Sequence, residues 1–170
     1  NPNNVYGKSK LAGELLALSL CDKTTIVRTS WVFSEHGRNF VPTVINKLLD
    51  NQTVEIYENS IGTPTYAGAL ADYIIELAAT QSPRKMVHYC SDVVLDRAEL
   101  ADMIVHQLSL LTHNTYTIKV TASTSLSNST HTIRPDYSAL QSTQNTFGKE
   151  QAVTTLQQHI LHIIQSILNK

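Results

Sequence analysis

The chain has 170 residues, of which 42% are hydrophobic and 16% charged, and its mean hydropathy is -0.12. A chain of this length can bury its own core, and the composition fits neither disorder nor a membrane span. Lys and Arg number 13 against 14 Asp and Glu, so no excess of basic residues favours nucleic acid or an anionic membrane as a partner.

Helices and strands are predicted to alternate along the chain. Apolar residues at helical spacing predict helices, and short β-branched or alternating stretches predict strands. In chain order these are a helix at 5–21, a strand at 24–30, a helix at 40–50, a strand at 53–57, a helix at 66–80, a strand at 85–90, a helix at 96–111, a strand at 116–120 and a helix at 152–168. This order predicts an α/β fold in which at least part of the sheet is parallel.

The remaining segments are predicted to be caps, turns and loops. Asn39 is placed to cap the second helix, and Asp96 with Glu99 forms a predicted capping box. Residues 31–38 and 59–65 are predicted to be a loop and a turn. Residues 121–132 are rich in Ser and Thr, which leaves open a solvated surface loop or a loop that closes over a ligand.

The glycines and cysteines indicate whether the chain carries a dinucleotide loop and which cellular compartment suits it. The six glycines are too far apart to form G-x-G-x-x-G, so the chain carries no dinucleotide loop of its own. Because it begins with Asn1 and leads at once into a helix, we expect it to be cut from a longer protein. Cys21 and Cys90 are predicted to be two buried thiols in a reducing compartment, which favours the cytoplasm. The seven histidines lack ligand spacing, so no metal site is predicted.

Tyr6 and Lys10 form a candidate proton-transfer pair. They are four residues apart in the first predicted helix, so both lie on the same face. A lysine ammonium near a tyrosine hydroxyl favours the phenolate, which suits a tyrosine that exchanges a proton with a substrate. The pair alone is weak evidence, since Y-x-x-x-K occurs by chance in many helices.

Further motifs give this pair a context. They are PNNVYGKSKLAGE at 2–14, RTSWVF at 28–33, GRNFV at 37–41, GTPT at 62–65 and IRPDYSAL at 133–140. In content and order they resemble the extended short-chain dehydrogenases/reductases, and within these the family of dTDP-4-dehydrorhamnose reductases. The resemblance implies the C-terminal part of a Rossmann-type doubly wound sheet, interleaved over residues 1–170 with a small α/β substrate domain. It also implies NADPH or NADH as cofactor and a dTDP-sugar as substrate.

The resemblance also implies roles for individual residues. Tyr6 matches the proton donor of the family, and Lys10 matches the lysine that holds the nicotinamide ribose. Thr29 and Ser30 match positions that pass beside the nicotinamide. Trp31 matches the ring that lies against the deoxysugar, and a flat apolar ring suits the face of a 6-deoxyhexose. Finally, Asn39 and Arg134 match residues near the nucleotide diphosphate, although a helix cap and a surface ion pair remain open for them.

Two departures limit what the resemblance implies. Asn59 and Ser60 stand where such reductases usually carry Asp-Gln, which puts any acidic role there in doubt. The chain also lacks the family's glycine-rich half. We therefore expect that, on its own, it neither binds NAD(P)H nor is active. Other reductases, epimerases or dehydratases of sugar nucleotides stay open as alternatives. So do a non-catalytic subunit similar to the methionine adenosyltransferase beta subunit, and a homodimeric assembly.

Overall fold

The structure is a computed structural model that describes residues 2–57, 60–80, 84–121, 135–143 and 148–169. Arg134 and most of the Ser/Thr-rich segment at 121–132 therefore lie outside the described residues. The helices are α1 (Val5–Leu20), α2 (Phe40–Leu49), α3 (Ala67–Thr80), α4 (Arg97–Thr112) and α5 (Lys149–Leu168). The strands are β1 (Ile26–Arg28), β2 (Val32–Phe33), β3 (Glu55–Tyr57), β4 (Ile61–Gly62), β5 (Thr65–Tyr66), β6 (Met86–His88), β7 (Leu95–Asp96) and β8 (Lys119–Thr121).

The described strands form pairs, most of them parallel. β1 pairs with β6, β2 with β5 and β3 with β8, all in parallel, whereas β4 pairs with β7 in antiparallel. Each parallel pair joins strands that at least one helix separates along the chain. The predicted α/β class with parallel pairing is confirmed.

The helix predictions are confirmed to within a few residues, and the strand predictions are less accurate. All five helices occur where apolar spacing places them, and α4 begins with the predicted capping box of Asp96 and Glu99. By contrast, the predicted loop at 31–38 contains β2, and the predicted turn at 59–65 contains β4 and the first residue of β5. β7 was also missed. These are two-residue ladders, which are too short to show a periodicity in the sequence.

The main core lies between α2, α4, α5 and β3. Their apolar faces meet in one cluster in which many side chains are almost fully inaccessible to solvent. The buried members from the three helices are Val41, Val44, Ile45, Leu48, Leu100, Ala101, Ile104, Leu108, Leu156, Ile160, Ile163 and Ile164. This cluster fixes the N-terminal ends of α2 and α4, which carry residues of the candidate site described below.

The first helix is attached differently. No residue of α1 is buried, and Leu15 on its predicted apolar stripe is 60% exposed. The helix is joined to β1 by a two-point ion pair in which Arg28 donates to Glu14 at 2.8 and 2.6 Å. The expectation that both thiols are buried is wrong for Cys21, which is exposed because it follows the solvated C-terminal end of α1, whereas Cys90 is buried.

Candidate functional site

The predicted pair of Tyr6 and Lys10 comes together at the start of α1. The Asn4 side chain accepts a hydrogen bond from the Gly7 backbone N–H at 2.8 Å and so fixes the first turn. Four residues apart on this helix, Lys10 places its Nζ 5.4 Å from the centroid of the Tyr6 ring. Tyr6 is 68% exposed, so its hydroxyl is open to a ligand.

The direction of α1 carries Tyr6 toward the carboxyl end of β1. The Thr24 hydroxyl donates to the Ala17 carbonyl at 3.1 Å, so the chain turns back beside the C-terminal end of the helix. β1 then runs along α1 in the opposite direction, and Arg28 reaches Glu14. Tyr6 lies eight residues before Glu14, or about 12 Å further along the helix axis. The residues that follow β1 therefore extend toward the end of α1 that carries Tyr6.

Thr29 and Ser30 follow β1 at this edge. The Ser30 carbonyl accepts a hydrogen bond from the Thr65 hydroxyl at 2.7 Å, and the Trp31 carbonyl accepts from the Thr65 backbone N–H at 3.2 Å. The GTPT turn thus holds the segment after β1. The Thr29 hydroxyl is buried and has no hydrogen-bond partner among the described residues. A buried hydroxyl without a partner is costly, so this position suits a polar group that a ligand supplies.

Trp31 is held in a strained and crowded position. Its φ angle of 44° lies in the left-handed region, which costs a bulky residue roughly 1–2 kcal/mol. A Cβ built on Gly62 would lie 2.4 Å from Cε2 of the indole, so the ring fits there only because residue 62 is glycine. The Arg97 guanidinium carbon lies 4.0 Å from the centroid of the Trp31 ring. The structure therefore places Trp31 against the GTPT turn and the start of α4.

Asn39 precedes α2 as predicted, but its side chain does not cap the helix. It makes no hydrogen bond to the first turn of the helix. Its amide nitrogen donates to the Ser34 and His36 carbonyls at 2.9 and 3.2 Å, and so closes the loop between β2 and α2. The first turn of α2 therefore receives no side-chain cap from Asn39, and its third residue, Pro42, has no backbone N–H to be capped.

A polar cluster that the sequence did not indicate lies around Glu35. The Tyr66 hydroxyl donates to both carboxylate oxygens of Glu35, at 3.2 and 3.3 Å. Nε2 of His162 lies 3.7 Å from Glu35 Oε1, and the Tyr66 ring stacks on His159 at 4.5 Å. A hydrogen bond from its own backbone N–H lowers the pKa of Glu35 despite burial, and Tyr66 adds to this.

The other members of the cluster respond to burial and to their neighbours. Burial, and then the charge of Glu35, raise the pKa of Tyr66. Burial lowers the pKa of His159, and His162 adds a smaller effect in the same direction. Within the described ranges, no group of three or more His, Cys, Asp or Glu residues is arranged to hold a metal ion. Nothing in the spacing of residues 35, 66, 159 and 162 could have shown that three separate elements meet here.

Several of the curated relatives that this chain is similar to are named dTDP-4-dehydrorhamnose reductases. A dTDP-4-dehydrorhamnose reductase of Aggregatibacter actinomycetemcomitans is 44% identical over 78 residues, which cover 46% of this chain and 26% of that protein. The spore coat polysaccharide biosynthesis protein SpsK of Bacillus subtilis is 34% identical over 112 residues, which cover 66% of this chain and 39% of that protein. Matches to the curated relatives thus span less than half of their length.

Solved structures match nearly the whole chain. A dTDP-4-dehydrorhamnose reductase ortholog from Clostridium acetobutylicum has a TM-score of 0.75 and 26% identity, and the match covers 99% of this chain and 57% of that one. The Bacillus anthracis enzyme in complex with NADP has a TM-score of 0.76 at 23% identity and covers 98% and 57%, which shows a shared fold. The chain therefore spans little more than half the length of these solved relatives.

None of the helices in the described part of the chain is both long and apolar enough to cross a membrane. Residues 1–169 match the family model described as the RmlD substrate binding domain. Since this match extends over almost the entire sequence, the chain belongs to the RmlD substrate-binding domain family.

Proposed function

We propose that the complete protein reduces the C4 keto group of dTDP-4-dehydro-L-rhamnose to give dTDP-L-rhamnose, with NADPH or NADH as cofactor. The observation that carries this proposal is the pairing of Tyr6 and Lys10 on the exposed start of α1. The family assignment and the relatives named as dTDP-4-dehydrorhamnose reductases support the choice of reaction and substrate.

The residues after β1 fit a nicotinamide cofactor. The buried Thr29 hydroxyl has no partner in the described part of the chain, so a polar group of a bound cofactor would satisfy it. Tyr6, Lys10, Thr29 and Ser30 are the residues that would hold the nicotinamide end. When bound, the cofactor supplies the hydride for the keto carbon.

Tyr6 supplies the proton in this proposal. As the C4 carbon is reduced, its oxygen gains negative charge, and the Tyr6 hydroxyl donates a proton to that oxygen. The phenolate that remains is negatively charged, and the Lys10 ammonium beside the ring stabilises this charge. The exposure of Tyr6 allows a substrate carbonyl to reach the hydroxyl.

The substrate's remaining groups would be met by the elements that follow. Trp31, beside the GTPT turn, is the proposed contact for the deoxysugar. Asn39 stays a proposed contact of the diphosphate, and its amide would have to leave the Ser34 and His36 carbonyls of its own loop to bind there. Arg134, which lies outside the described residues, stays a proposed diphosphate ligand on the basis of its charge and two-pronged donor geometry.

Replacing Tyr6 by Phe in the complete protein tests the proposal. Removal of a general acid typically costs about 10²–10⁴-fold in rate, so we expect kcat to fall by that order while the dissociation constant for dTDP stays within twofold of the wild-type value. Oxidation of NADPH in the presence of the keto sugar measures the rate, and isothermal titration measures binding. Tyr137→Phe is the matched control, because Tyr137 is 64% exposed, close to the value for Tyr6.

Three outcomes would change the proposal. Turnover by Tyr6→Phe at the rate of the control would remove the proton-donor role. Reduction of a different keto sugar by the wild-type protein, but not of the 4-dehydrorhamnose compound, would replace the substrate. Binding of dTDP without turnover of any keto sugar would support a non-catalytic role instead.

A further inference from the structure

Arg97 lies between the aromatic rings of Trp31, the proposed sugar contact, and Phe40. The Arg97 guanidinium carbon is 4.0 Å from the centroid of the Trp31 ring and 4.7 Å from that of Phe40. Both distances fall within the range of about 6 Å over which a cation is attracted to a ring face. The three residues come from different elements: the segment after β1, the first turn of α2 and the first turn of α4. The stack therefore connects elements that are distant in the sequence.

The backbone that carries Arg97 is fixed on both sides. Directly before it, the Asp96 carboxylate accepts from the Glu99 N–H at 2.8 Å, and the Glu99 carboxylate accepts from the Asp96 N–H at 2.7 Å. β7, which ends at Asp96, pairs with β4 so that Leu95 lies opposite Gly62. The pairing of β4 with β7 thus holds both Gly62, which crowds the indole, and Asp96, the residue directly before Arg97.

The indole needs such support because its own backbone does not favour the observed position. With φ at 44°, Trp31 occupies a region that bulky residues adopt only when their surroundings fix them there. Gly62 limits the ring by steric contact, since even a methyl group at this position would overlap the indole. Arg97 and Phe40 supply the attractive contacts of the same assembly.

We propose that Arg97 is a positioning residue that holds Trp31 in the orientation in which it contacts the sugar. The contact with a sugar rests on the proposed function, whereas the stack itself does not. The guanidinium also limits which part of the Trp31 ring a sugar can contact. Because the guanidinium covers one face of the indole, that face is unavailable to a sugar, and the ligand meets the rest of the ring or the guanidinium N–H donors.

Tryptophan fluorescence tests the stack without reference to catalysis. Trp31 is the only tryptophan of the 170-residue chain, so its emission reports this position alone. In Arg97→Met, which keeps an unbranched side chain but removes the charge, we expect easier quenching by acrylamide and an emission maximum at longer wavelength. Arg97→Lys, which keeps the charge but not the planar group, should fall between this variant and the wild-type chain. The exposed Arg38 gives the matched control Arg38→Met, which should match the wild-type chain.

Kinetics of the complete protein test the positioning role. Loss of one cation–π contact should raise KM for the dTDP-sugar roughly three- to tenfold in Arg97→Met and change kcat less, with partial recovery in Arg97→Lys. Wild-type fluorescence in both Arg97 variants would overturn the stack. Altered fluorescence with unchanged KM would overturn the positioning role. If the fluorescence changes as expected but the wild-type protein reduces no keto sugar, the proposed function fails and the stack stands.

Discussion

The two halves of the candidate site are built in different ways. Tyr6 and Lys10 lie on α1, a helix without a buried residue, and their proximity follows from helical spacing alone. Trp31 lies where three elements meet, between Gly62 and Arg97, next to the main core. The proposed proton donor is thus positioned by local geometry, whereas the proposed sugar contact is positioned by tertiary packing.

This difference also concerns stability. Among the residues that the structure describes, Leu15 and Leu20 of α1 are largely exposed to solvent, at 60% and 83%. The helices around the core, in contrast, contribute side chains such as Leu108 with 0% exposure. Burial of apolar surface is the dominant stabilising contribution to folding, so mutations in the two regions should differ strongly in effect.

The largest expected effect comes from truncating one leucine in each region. Leu108→Ala should lower the free energy of unfolding of the chain by about 2–5 kcal/mol, because it leaves a cavity between α4 and its neighbours. Leu15→Ala removes the same atoms from an exposed site and should change the free energy of unfolding by about 0.5 kcal/mol or less. Equilibrium unfolding in urea measures both. Similar losses for the two variants would show that α1 is covered in solution, and would remove the contrast.

A smaller effect is expected for glycine substitutions in the two regions. Gly62→Ala places a methyl group in the space of the indole and should destabilise the chain by about 1–3 kcal/mol, with a shift in Trp31 emission. Gly13→Ala in α1 is the matched control, since a Cβ there meets no atom within 4 Å. It should stabilise the helix by roughly 0.5–1 kcal/mol. If Gly62→Ala were neutral in both stability and emission, the close approach of ring and turn would be wrong.

The same contrast explains how much the sequence could predict. Helix positions and the pairing of Tyr6 with Lys10 depend on spacing within one segment, which the sequence shows directly. The capping box at Asp96 is equally local and was predicted correctly. The parallel α/β arrangement followed from the order of helices and strands. Local rules therefore sufficed wherever the determining residues are neighbours along the chain.

The missed features all depend on residues that are far apart in the sequence. The sequence gives no sign of the contacts of Arg97 with Trp31 and Phe40, because these contacts form only when α4 packs beside α2 and the segment after β1. Asn39 was correctly placed before α2, but competing carbonyls at Ser34 and His36 take its amide. The contacts of Glu35 with Tyr66 and His162 likewise bring together three elements. Tertiary packing decides these positions, and a local pattern cannot reveal it.

The smallest effect is expected at the ion pair that joins α1 to β1. The Arg28 guanidinium, through its hydrogen bond to Glu14, holds the pKa of that carboxyl below its usual value of 4.5. Because the folded-state pKa is lower than the unfolded one, the pair stabilises the fold above about pH 4.5, and this contribution is lost as the pH falls through the lowered pKa. Arg28 is 38% exposed and Glu14 17%, so solvent screening limits the effect of Glu14→Gln at neutral pH to about 1 kcal/mol or less.

Unfolding in urea at several pH values checks this prediction. The difference between wild-type and Glu14→Gln chains should be constant near neutral pH and should shrink below pH 4.5, because a protonated Glu14 resembles glutamine. Glu76→Gln, at an exposed position of α3, is the matched control and should show no such change. A difference that persisted at low pH would mean that Glu14 acts through packing rather than charge. In that case α1 would be attached to the sheet more like the core helices than its exposed side chains suggest.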